Sequence, residues 1–413
     1  MKVLWFVNII FPEAERLLGW SEELKSTGGW LVASGEELAL EGIDLCVASQ
    51  SGLVHELKFL KGERTLYAII PNDNKGLVNS FKVIKESFQP DIIHIHGTES
   101  PMGDVWVKEY GSCNVVLSVQ GVLSAILKYH HKGLSNWDIF LNLTMHDVLR
   151  KTIWGEQKGY VEKSEKERTL IRQLKYVIGR TFFDNAYIVN INPGIRYFHC
   201  NESLREEFYS GKWNYDKCEK HTLFLSQGHA PLKGLHFLLL ALPLVIKKYP
   251  DTKVRIGGVN IIKNKSIGER LRLSGYGKFI LGIIKKYGLK ERVEFLGPLN
   301  ATKMKEELIK ANVYVCPSTI ENSPNSLAEA QILGTPCVGS DAGGIPDFIS
   351  SREFGLLYRY DDPIMLAHCI CESFQASSSY DNTLMRKCAA KRHNRLINCT
   401  AMIKIYNQIL NGE

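Results

Sequence analysis

One stretch of the sequence combines a strand end, a polar loop and a helix start, an arrangement that binds phosphate in many proteins. A short apolar strand is predicted to end near Cys316, and a helix to begin near Pro324 with Ser323 as its N-cap. The backbone N–H groups of Asn325 and Ser326 then have no acceptor within the helix and lie at the positive end of its dipole. The pattern therefore predicts an anion site at this helix start.

Two glutamates flank the predicted helix start. Glu329 lies four residues after Asn325 and three after Ser326, which places it on the same face of the helix, one turn deeper. A carboxylate beside a phosphate site suits a ribose diol, because the diol offers two hydroxyl donors. Glu321 lies in the preceding loop, near whatever group a diphosphate would carry. The same residues also suit an ordinary capped helix with two surface glutamates, so the residue types alone leave both interpretations open.

A lysine and two glycines follow other predicted strands in the second half of the chain. Lys233 comes after the strand 223–226, in a loop that also contains Gly228, and Gly258 follows the strand 253–256. Ligands of parallel α/β sheets bind beyond the carboxyl ends of the strands. These residues are therefore candidates for contact with the same ligand.

The first half of the chain has its own candidate residues at strand ends. Gly28 and Gly29 open a helix after the first strand, where glycine allows the backbone to approach a ligand closely. His94 and His96 lie on one side of the strand 92–96, and His96, at its carboxyl end, is the better candidate for contact with a ligand. A plain helix start and a pair of core histidines are the alternative interpretations.

The segment 321–330 reads E-N-S-P-N-S-L-A-E-A. It resembles the Glu–seven residues–Glu motif of the family-4 retaining glycosyltransferases of GT-B fold, which is commonly E-G-F-P-N-x-x-x-E-A. The resemblance implies that Glu329 holds the ribose of a nucleotide and that Glu321 orients the donor sugar near its reacting carbon. It extends over most of the chain, is most specific over residues 313–347 and is loose over residues 50–180.

The loop around Lys233 matches the same family in part. The family usually has G-R-L-x-x-x-K-G in this place, with arginine and lysine clamping the diphosphate, and Lys233 with Gly234 matches its second half. The arginine is absent, because Gln227, Gly228 and His229 occupy its neighbourhood. One cation is therefore missing from the phosphate clamp that the resemblance implies.

Other segments resemble the family less closely. Gly28 and Gly29 resemble its glycine-rich acceptor-side loop, and Gly258 lies in a loop that would face the nucleotide. Segments 179–184 and 197–208 are similar to a bacterial surface-polysaccharide branch of the family. The resemblance thus implies an acceptor side in the first half of the chain and a donor side in the second.

Short apolar runs alternate with amphipathic stretches along the chain, which predicts an α/β protein with parallel sheets. The predicted strands lie at 3–10, 43–48, 65–70, 92–96, 115–119 and 188–190, and then at 223–226, 253–256, 293–295, 313–316 and 335–339. We expect two Rossmann-like domains that face a central cleft, as in the GT-B fold. The predicted boundaries are 1–195 for the acceptor-side domain, 196–220 for a linker, 221–383 for the nucleotide-sugar domain and 384–413 for a C-terminal helix, whose packing on the first domain stays open.

Composition limits the classes of function. The chain has 413 residues, too many for one core, and a mildly basic net charge of +7. A nucleic-acid-binding protein would usually show a denser basic stripe within a recognisable module, so we expect no nucleic-acid partner. The ten cysteines form no C-x-x-C pair, which favours a reducing, cytoplasmic location. The longest apolar run is too short to span a membrane, and no signal peptide is expected.

The segment 128–180 is helical in composition and basic, with 11 Lys or Arg residues against 6 Asp or Glu residues. We expect it to add helices to the first domain. Because Trp137, Phe140 and Trp154 lie within it, the segment is a candidate surface for an anionic membrane and a lipid-linked acceptor. A solvated helix face with a buried side fits the same composition.

These features predict an enzyme that transfers a hexose-type sugar from a nucleoside-diphosphate sugar to a saccharide or lipid-linked saccharide acceptor in surface polysaccharide synthesis. Glu321, Lys233 and His96 are its candidate catalytic residues. The resemblance implies that the anomeric configuration is retained, that a phosphate oxygen takes the acceptor proton, and that the reaction uses no metal or other cofactor.

Two alternatives remain at this stage. One is a non-catalytic sugar-nucleotide-binding protein, which the missing arginine favours, and the other is a sugar-nucleotide epimerase of the same architecture. A dinucleotide-dependent oxidoreductase is disfavoured, because no G-x-G-x-x-G fingerprint follows a suitable strand.

Overall fold

The computed structural model describes residues 1–20 and 28–413, which divide into two compact units. The first unit contains residues 1–122, 163–205 and 392–413, and the second contains residues 123–162 and 206–391. Each unit is built on one sheet of mostly parallel strands. This is the α/β class that the alternation of short apolar runs and amphipathic stretches predicts.

The sheet of the first unit has eight strands within the described residues. They are β1 (Lys2–Val7), β2 (Asp44–Ser51), β3 (Lys58–Lys61), β4 (Thr65–Pro71), β5 (Ile92–His96), β6 (Val115–Ser118), β7 (Tyr176–Gly179) and β8 (Arg196–His199). Their order across the sheet is β3-β4-β2-β1-β5-β6-β7-β8, and the β3–β4 pair is antiparallel while the others are parallel. The carboxyl ends of β1, β5, β6 and β7 therefore meet at one edge, where His96 lies.

The sheet of the second unit has six strands in the part of the chain that is described. They are β9 (Glu219–Leu225), β10 (Lys253–Gly257), β11 (Val293–Gly297), β12 (Ala311–Cys316), β13 (Cys337–Ser340) and β14 (Leu356–Tyr358). Their order is β11-β10-β9-β12-β13-β14, with parallel pairing throughout. Because β9 and β12 are neighbours, the loops that carry Lys233 and Glu321 start side by side.

The helices connect and cover these strands. They are α1 (Pro12–Leu17), α2 (Gly29–Leu40), α3 (Asn74–Phe88), α4 (Met102–Tyr110), α5 (Leu123–Tyr129), α6 (Asn136–Leu141), α7 (Met145–Leu149), α8 (Ile153–Gln173), α9 (Phe182–Ile191), α10 (Leu235–Lys248), α11 (Ile267–Leu271), α12 (Gly275–Lys286), α13 (Ala301–Lys310), α14 (Asn325–Leu333), α15 (Ile345–Phe348), α16 (Pro363–Ala376), α17 (Thr383–Arg392) and α18 (Arg395–Leu410). None of the described helices combines the length and the apolar composition needed to cross a bilayer.

The strand predicted at 188–190 is wrong, because these residues lie within the helix α9. Thr181 and Asp184 form a capping box at the start of this helix, in which each side chain accepts a hydrogen bond from the backbone of the other. Within that helix Ile188 and Ile191 are buried, whereas Val189 between them is exposed. The strands of this region are β7, within a segment predicted to be helical, and β8, within the predicted linker.

The segment predicted as one last helix is divided in two. Asn394 separates α17 from α18, and its side chain accepts a hydrogen bond from the N–H of Ile397 at 2.9 Å. The second helix belongs to the first unit. There Trp5 Nε1 donates to the Tyr406 hydroxyl at 3.0 Å, and this hydroxyl lies 2.6 Å from His94 Nδ1. Buried polar contacts thus tie α18 to β1 and β5.

Residues 123–162 belong to the second unit, whereas the sequence analysis assigns them to the first domain. Leu134 and Ile139 are buried in the same apolar cluster as Leu223 and Leu238 of the second unit. An apolar helix face shows that a helix packs against a core, but the same face fits either of two sheets. The segment carries α5, α6 and α7 to the unit that holds the candidate donor site.

Candidate active site

The helix α14 starts one residue later than predicted. Its first residue is Asn325, and Pro324 occupies the N-cap position in an extended conformation. Ser323 is therefore not the N-cap, and the prediction that it is was wrong. The carbonyl of Pro324 accepts hydrogen bonds from the N–H groups of Leu327 and Ala328. It is therefore the first carbonyl that accepts hydrogen bonds within this helix. The ring of proline cannot cap the helix, and the first-turn N–H groups suit an anion.

Tyr314 connects this helix start to the end of the neighbouring strand. The Tyr314 hydroxyl donates to Ser326 Oγ at 2.7 Å, and Ser226 Oγ lies 3.3 Å from the same oxygen. Tyr314 is buried in β12, between β9 and the helix. One side chain therefore fixes the first turn of α14 relative to the loop that follows β9. The sequence gives no signal for this tyrosine, because its place in an apolar strand is that of any core residue.

Lys233 and Glu321 form an ion pair, with Lys233 Nζ 2.7 Å from Glu321 Oε1. Ser318 Oγ donates to the same carboxylate oxygen at 2.8 Å. Both charged side chains are about one-fifth exposed, at 23% and 19%. Burial lowers the pKa of Lys233, but the charge and hydrogen bond of Glu321 outweigh it, so the pKa lies above its ordinary value. A cation and an anion are thus held together, partly shielded from water, beside the start of α14.

Glycines allow the loops around this pair to approach each other closely. Gly343 has φ +58°, and a Cβ at this position would overlap the carbonyl oxygen of Glu321. The next N–H, that of Gly344, donates to this same carbonyl at 2.9 Å. Gly234 has φ +70°, and a Cβ there would overlap the carbonyl of Pro317. The backbones that carry Lys233 and Glu321 are therefore fixed by contacts that only glycine permits.

The helical segment 123–162 also contacts the loop that carries Glu321. Thr319 Oγ1 donates to the carbonyl of Tyr129 at 3.0 Å, and the Thr319 N–H donates to the carbonyl of Leu232 at 2.8 Å. Tyr160 in α8 is also close enough to Lys233 to act on it electrostatically. Thr319 therefore joins the loop before Lys233, the loop before Glu321 and the end of α5. No short sequence pattern indicates this junction, because its members lie far apart in the chain.

The other predicted residues of the second unit lie along the same sheet edge. Glu329 is 4% exposed, on the face of α14 that lies one turn below Asn325 and Ser326. Gly258 follows β10 with φ +83°, and its N–H donates to Gly297 at 2.9 Å. Gly228 is buried, and a Cβ there would press on Leu235, so close packing requires a glycine at this position.

The position of the expected clamp arginine holds no permanent cation. Gln227 is exposed, and His229 is close enough to Lys233 for the lysine charge to act on it. Partial burial, followed by the charge of Lys233, lowers the pKa of His229. The imidazole is therefore neutral near pH 7, where it can donate one hydrogen bond but adds no positive charge.

The predicted residues of the first unit form a separate group. His96 is 4% exposed at the end of β5, and neither of its ring nitrogens meets a hydrogen-bond partner among the described residues. Its ring stacks on His94, with 3.9 Å between the ring centroids. Burial holds the pKa of His96 well below its ordinary value, and the neighbouring His94 ring and the charge of Arg180 lower this pKa further. His96 is thus a neutral imidazole whose nitrogens are available to a ligand hydroxyl.

Gly28 and Gly29 open α2 in the first unit, as predicted. Gly28 has φ +81°, and a Cβ at Gly29 would press on the side chain of Arg205. Trp30, the next residue, lies 6.0 Å from the His96 ring and 5.7 Å from the guanidinium of Arg180, measured to ring centroids. Arg180 is buried in an ion pair with Glu202. No pattern in the sequence alone predicts a role for Trp30 or Arg180.

Comparison with known protein families bears most directly on the second unit. The sequence model of the family described as glycosyl transferases group 1 matches residues 219–375. This range begins with β9 and contains Lys233, Glu321 and Glu329.

Two relatives illustrate the extent of the sequence similarity. The chain is 26% identical over 201 residues to the phosphatidyl-myo-inositol mannosyltransferase of Mycobacterium tuberculosis, and the aligned region covers 47% of this chain and 49% of that protein. It is 30% identical over 132 residues to the D-inositol 3-phosphate glycosyltransferase of Corynebacterium urealyticum, and the aligned region covers 32% of this chain and 30% of that protein. The chain therefore spans half the length or less of these curated relatives.

Solved structures share the fold over the whole chain. Sucrose-phosphate synthase from Thermosynechococcus elongatus has a TM-score of 0.73 at 16% identity, covering 100% of both chains. HepE from Anabaena, solved in complex with UDP and glucose, has a TM-score of 0.67 at 14% identity, covering 99% of this chain and 100% of that one. The chain thus has the GT-B fold that the sequence predicts, and its residues 219–375 are similar to the group 1 glycosyltransferases.

Proposed function

We propose that the protein is a retaining glycosyltransferase that moves a hexose-type sugar from a nucleoside-diphosphate sugar to a saccharide or lipid-linked saccharide in surface polysaccharide synthesis. The observation that carries this proposal is the Lys233–Glu321 pair beside the start of α14, within the range that matches the group 1 glycosyltransferases. A cation next to the start of a helix suits a diphosphate, because the helix dipole is positive there, and an adjacent carboxylate suits sugar hydroxyls.

Each charged residue has a distinct part in the proposed reaction. Lys233 and the N–H groups of Asn325 and Ser326 bind the diphosphate and stabilise the negative charge that develops as the sugar–phosphate bond breaks. Glu329 accepts hydrogen bonds from the ribose hydroxyls, and Glu321 orients the donor sugar. Because the cation is supplied by Lys233, we propose that donor binding uses no metal ion and is unaffected by a chelator.

The acceptor step follows from the same arrangement. The acceptor oxygen forms the new bond to the anomeric carbon on the face that the phosphate leaves, and a phosphate oxygen takes the acceptor proton. In the first unit, the neutral imidazole of His96 accepts a hydrogen bond from an acceptor hydroxyl, and the backbone at Gly28 and Gly29 approaches the ligand. The role of His96 is supported by its two ring nitrogens, which have no hydrogen-bond partner among the described residues.

The first experiment is a thermal-shift screen of the full chain against UDP-, GDP- and ADP-sugars. A ligand that binds only the folded protein raises its apparent stability. We expect a shift with one nucleotide that is lost in Lys233→Ala and Glu329→Ala and kept in Lys303→Ala, which removes an exposed lysine of α13. If no sugar nucleotide shifts the wild type, or if both site variants respond fully, the proposed donor site is wrong.

A donor-binding protein without transferase activity is the second candidate. It is favoured by the neutral residues Gln227 and His229, which stand where the family has arginine. Release of nucleoside diphosphate from the donor, with and without a mixed glycan acceptor pool, separates the candidates. Binding without release supports the second candidate, and conversion of the free sugar nucleotide without release supports an epimerase.

We also propose a cytoplasmic location at the face of a membrane. All ten cysteines of the described chain are unpaired, and burial raises the pKa values of Cys316 and Cys337. Buried thiols that persist without disulfides suit a reducing compartment. The membrane location is proposed because the helices α6 and α7 of the second unit expose large apolar side chains.

A further inference from the structure

The short helices α6 and α7 expose an unusual number of large apolar side chains. Six of these residues form what we call the α6–α7 patch: Trp137, Phe140, Leu141, Met145, Val148 and Leu149. Trp137 is 65% exposed and Leu149 is 75% exposed. The rings of Trp137 and Phe140 stack at 5.6 Å between centroids. Single exposed apolar residues are common, but six large ones on two consecutive short helices mark an interaction surface.

The opposite face of these helices already has a packing partner. Ile139 is buried in the core of the second unit, and α6 packs against α12. Lys278 of α12 donates to the carbonyl of Leu141 at 3.1 Å. The exposed residues are therefore a second apolar face, beyond the one that the fold uses.

A second apolar and basic element is joined to this patch. The helix α11 exposes Ile267 and Leu271. The N–H of Gly275, at the start of α12, donates to Asp147 of α7 at 3.0 Å, and a Cβ at Gly275 would collide with this carboxylate. Because Gly275 follows α11 by only a few residues, this contact keeps the end of α11 beside α7.

Positive charge is concentrated around these apolar side chains. The segments 136–151 and 263–272 contain six basic residues, which are all exposed: Arg150, Lys151, Lys263, Lys265, Arg270 and Arg272. The same segments contain three acidic residues, Asp138, Asp147 and Glu269, and each of them is part of a helix capping box. The acidic groups thus serve the local fold, whereas the basic groups face solvent.

We propose that the α6–α7 patch, with α11, docks the second unit on an anionic phospholipid surface. Exposed aromatic and aliphatic side chains insert at the lipid boundary, and the lysines and arginines around them attract anionic headgroups. This combination of exposed apolar side chains and an excess of positive charge distinguishes a lipid surface from an apolar protein groove. The inference deepens the proposed function, because a membrane-docked donor unit lies where a lipid-linked acceptor is found.

The docking surface connects directly to the candidate active site. The backbone just before α6 accepts two hydrogen bonds from the rest of the second unit. Thr319 Oγ1 donates to the carbonyl of Tyr129 at 3.0 Å, and His236 Nε2 donates to the carbonyl of Lys132 at 3.1 Å. Thr319 lies two residues before Glu321. Docking through α6 and α7 therefore fixes the segment on which the Glu321 loop rests.

The test is co-sedimentation of the full chain with vesicles of phosphatidylcholine, with and without added phosphatidylglycerol. We expect binding only to the anionic vesicles, and weaker binding at about 0.5 M salt, where charge is screened. The double variant Trp137→Ser with Phe140→Ser is expected to reduce vesicle binding by about tenfold or more. Phe182→Ser is the matched control, because Phe182 is an aromatic residue of the first unit that is 81% exposed.

Three outcomes would overturn the proposal. They are absence of binding to anionic vesicles at low salt, equal loss of binding in both variants, and a patch variant that binds vesicles as well as the wild type. Size-exclusion chromatography tests whether the patch instead binds a second copy of the chain. If the wild type is an oligomer that does not bind vesicles, and the double variant is a monomer, the patch is an interface between two copies.

Donor binding in the absence of vesicles separates this inference from the proposed function. The double variant is expected to unfold at the wild-type temperature and to keep the wild-type thermal shift with the donor. Vesicle binding without any donor binding would leave the docking surface in place and disprove the transferase.

Discussion

At the scale of single residues, the candidate site holds Lys233 and Glu321 as a preformed pair. Their 2.7 Å contact is supported by Ser318, which donates to the same carboxylate oxygen. A diphosphate offers Lys233 a partner with more negative charge than one carboxylate. Donor binding is then expected to exchange one ion pair for another and to release Glu321 toward the sugar hydroxyls.

Glu321→Gln tests this exchange. The amide keeps the size of the side chain but removes its charge, so Lys233 loses its competing partner. We expect donor affinity to stay within a few-fold of the wild type or to increase, while the rate of nucleoside diphosphate release falls by about 10²–10³-fold. Calorimetry and rates at saturating donor measure the two effects. Glu353→Gln, at an exposed glutamate of the same unit, is the control, and a Glu321→Gln rate within twofold of the wild type would contradict the role of Glu321.

Tyr314→Phe tests whether Tyr314 positions the helix start. The change removes the hydrogen bonds to Ser326 and Ser226, and we expect it to lower the free energy of unfolding by about 1–3 kcal/mol and donor affinity several-fold. Tyr406→Phe is the matched control, because Tyr406 is also fully buried and contacts Trp5 and His94 in the first unit. It is expected to cost similar stability with unchanged donor affinity. Equal effects of both variants on donor binding would make Tyr314 a purely structural residue.

At the scale of elements, the site depends on loops whose backbones are in direct contact. The loop after β13 brings Gly343 and Gly344 against the Glu321 carbonyl, and the loop after β9 brings Gly234 against Pro317. Such contacts leave no space for a side chain. The positions of Lys233 and Glu321 therefore follow from glycines that lie elsewhere in the chain.

Gly343→Ala is expected to be far more harmful than an ordinary glycine substitution at positive φ. The methyl group would overlap the Glu321 carbonyl oxygen, so the Glu321 loop must move and donor turnover is lost. Gly288→Ala is the matched control, since Gly288 has φ +65° but a Cβ there meets no described atom within 4 Å. We expect the control to cost about 1 kcal/mol of stability from backbone strain alone and to keep full activity. Chemical denaturation and donor turnover measure both variants, and similar behaviour of the two would show that the contact is unimportant.

At the scale of the whole molecule, both units contain histidines that are buried without charge. Burial lowers the pKa of His94 and of His393 to about 3 in the first unit, and that of His236 to about 4 in the second. In the second unit, Nε2 of His236 donates to the carbonyl of Lys132, and Nδ1 accepts from Tyr276. Protonation of His236 would break this arrangement.

Stability is therefore expected to decrease in mild acid. The ordinary histidine pKa of 6.5 applies to the unfolded chain, so between pH 7 and pH 5 the unfolded state binds more protons than the folded state. The free energy of unfolding then falls as pH falls, by up to about 2 kcal/mol per buried histidine at pH 5. Calorimetric unfolding at pH 7, 6 and 5 measures the slope.

The same measurement includes two variants. His236→Gln is expected to flatten the pH dependence of the transition of the second unit, whereas His368→Gln, at a side chain that is 71% exposed, leaves it unchanged. A transition temperature that is constant from pH 7 to pH 5 would show that these histidines do not control acid stability.

The sequence by itself predicted the features that depend on neighbouring residues. The motif from Glu321 to Glu329 lies within one strand–loop–helix unit, so its spacing fixes which side chains share a face of α14. The strands β5 and β12 were predicted for the same reason, because buried parallel strands are short apolar runs bounded by polar loops. Where a local pattern was ambiguous, as at 188–190, a capping box a few residues earlier decided for a helix.

The tertiary structure decided what depends on distant residues. Lys233 and Glu321 are 88 positions apart, and their contact follows from the adjacency of β9 and β12 together with the glycine contacts at Gly234 and Gly343. The assignment of residues 123–162 to the second unit was also beyond the sequence, since an apolar helix face does not specify which of two sheets will bury it. The sequence marks the segment 128–180 as a candidate membrane surface, but only the structure shows which apolar side chains of α6 and α7 the core leaves exposed.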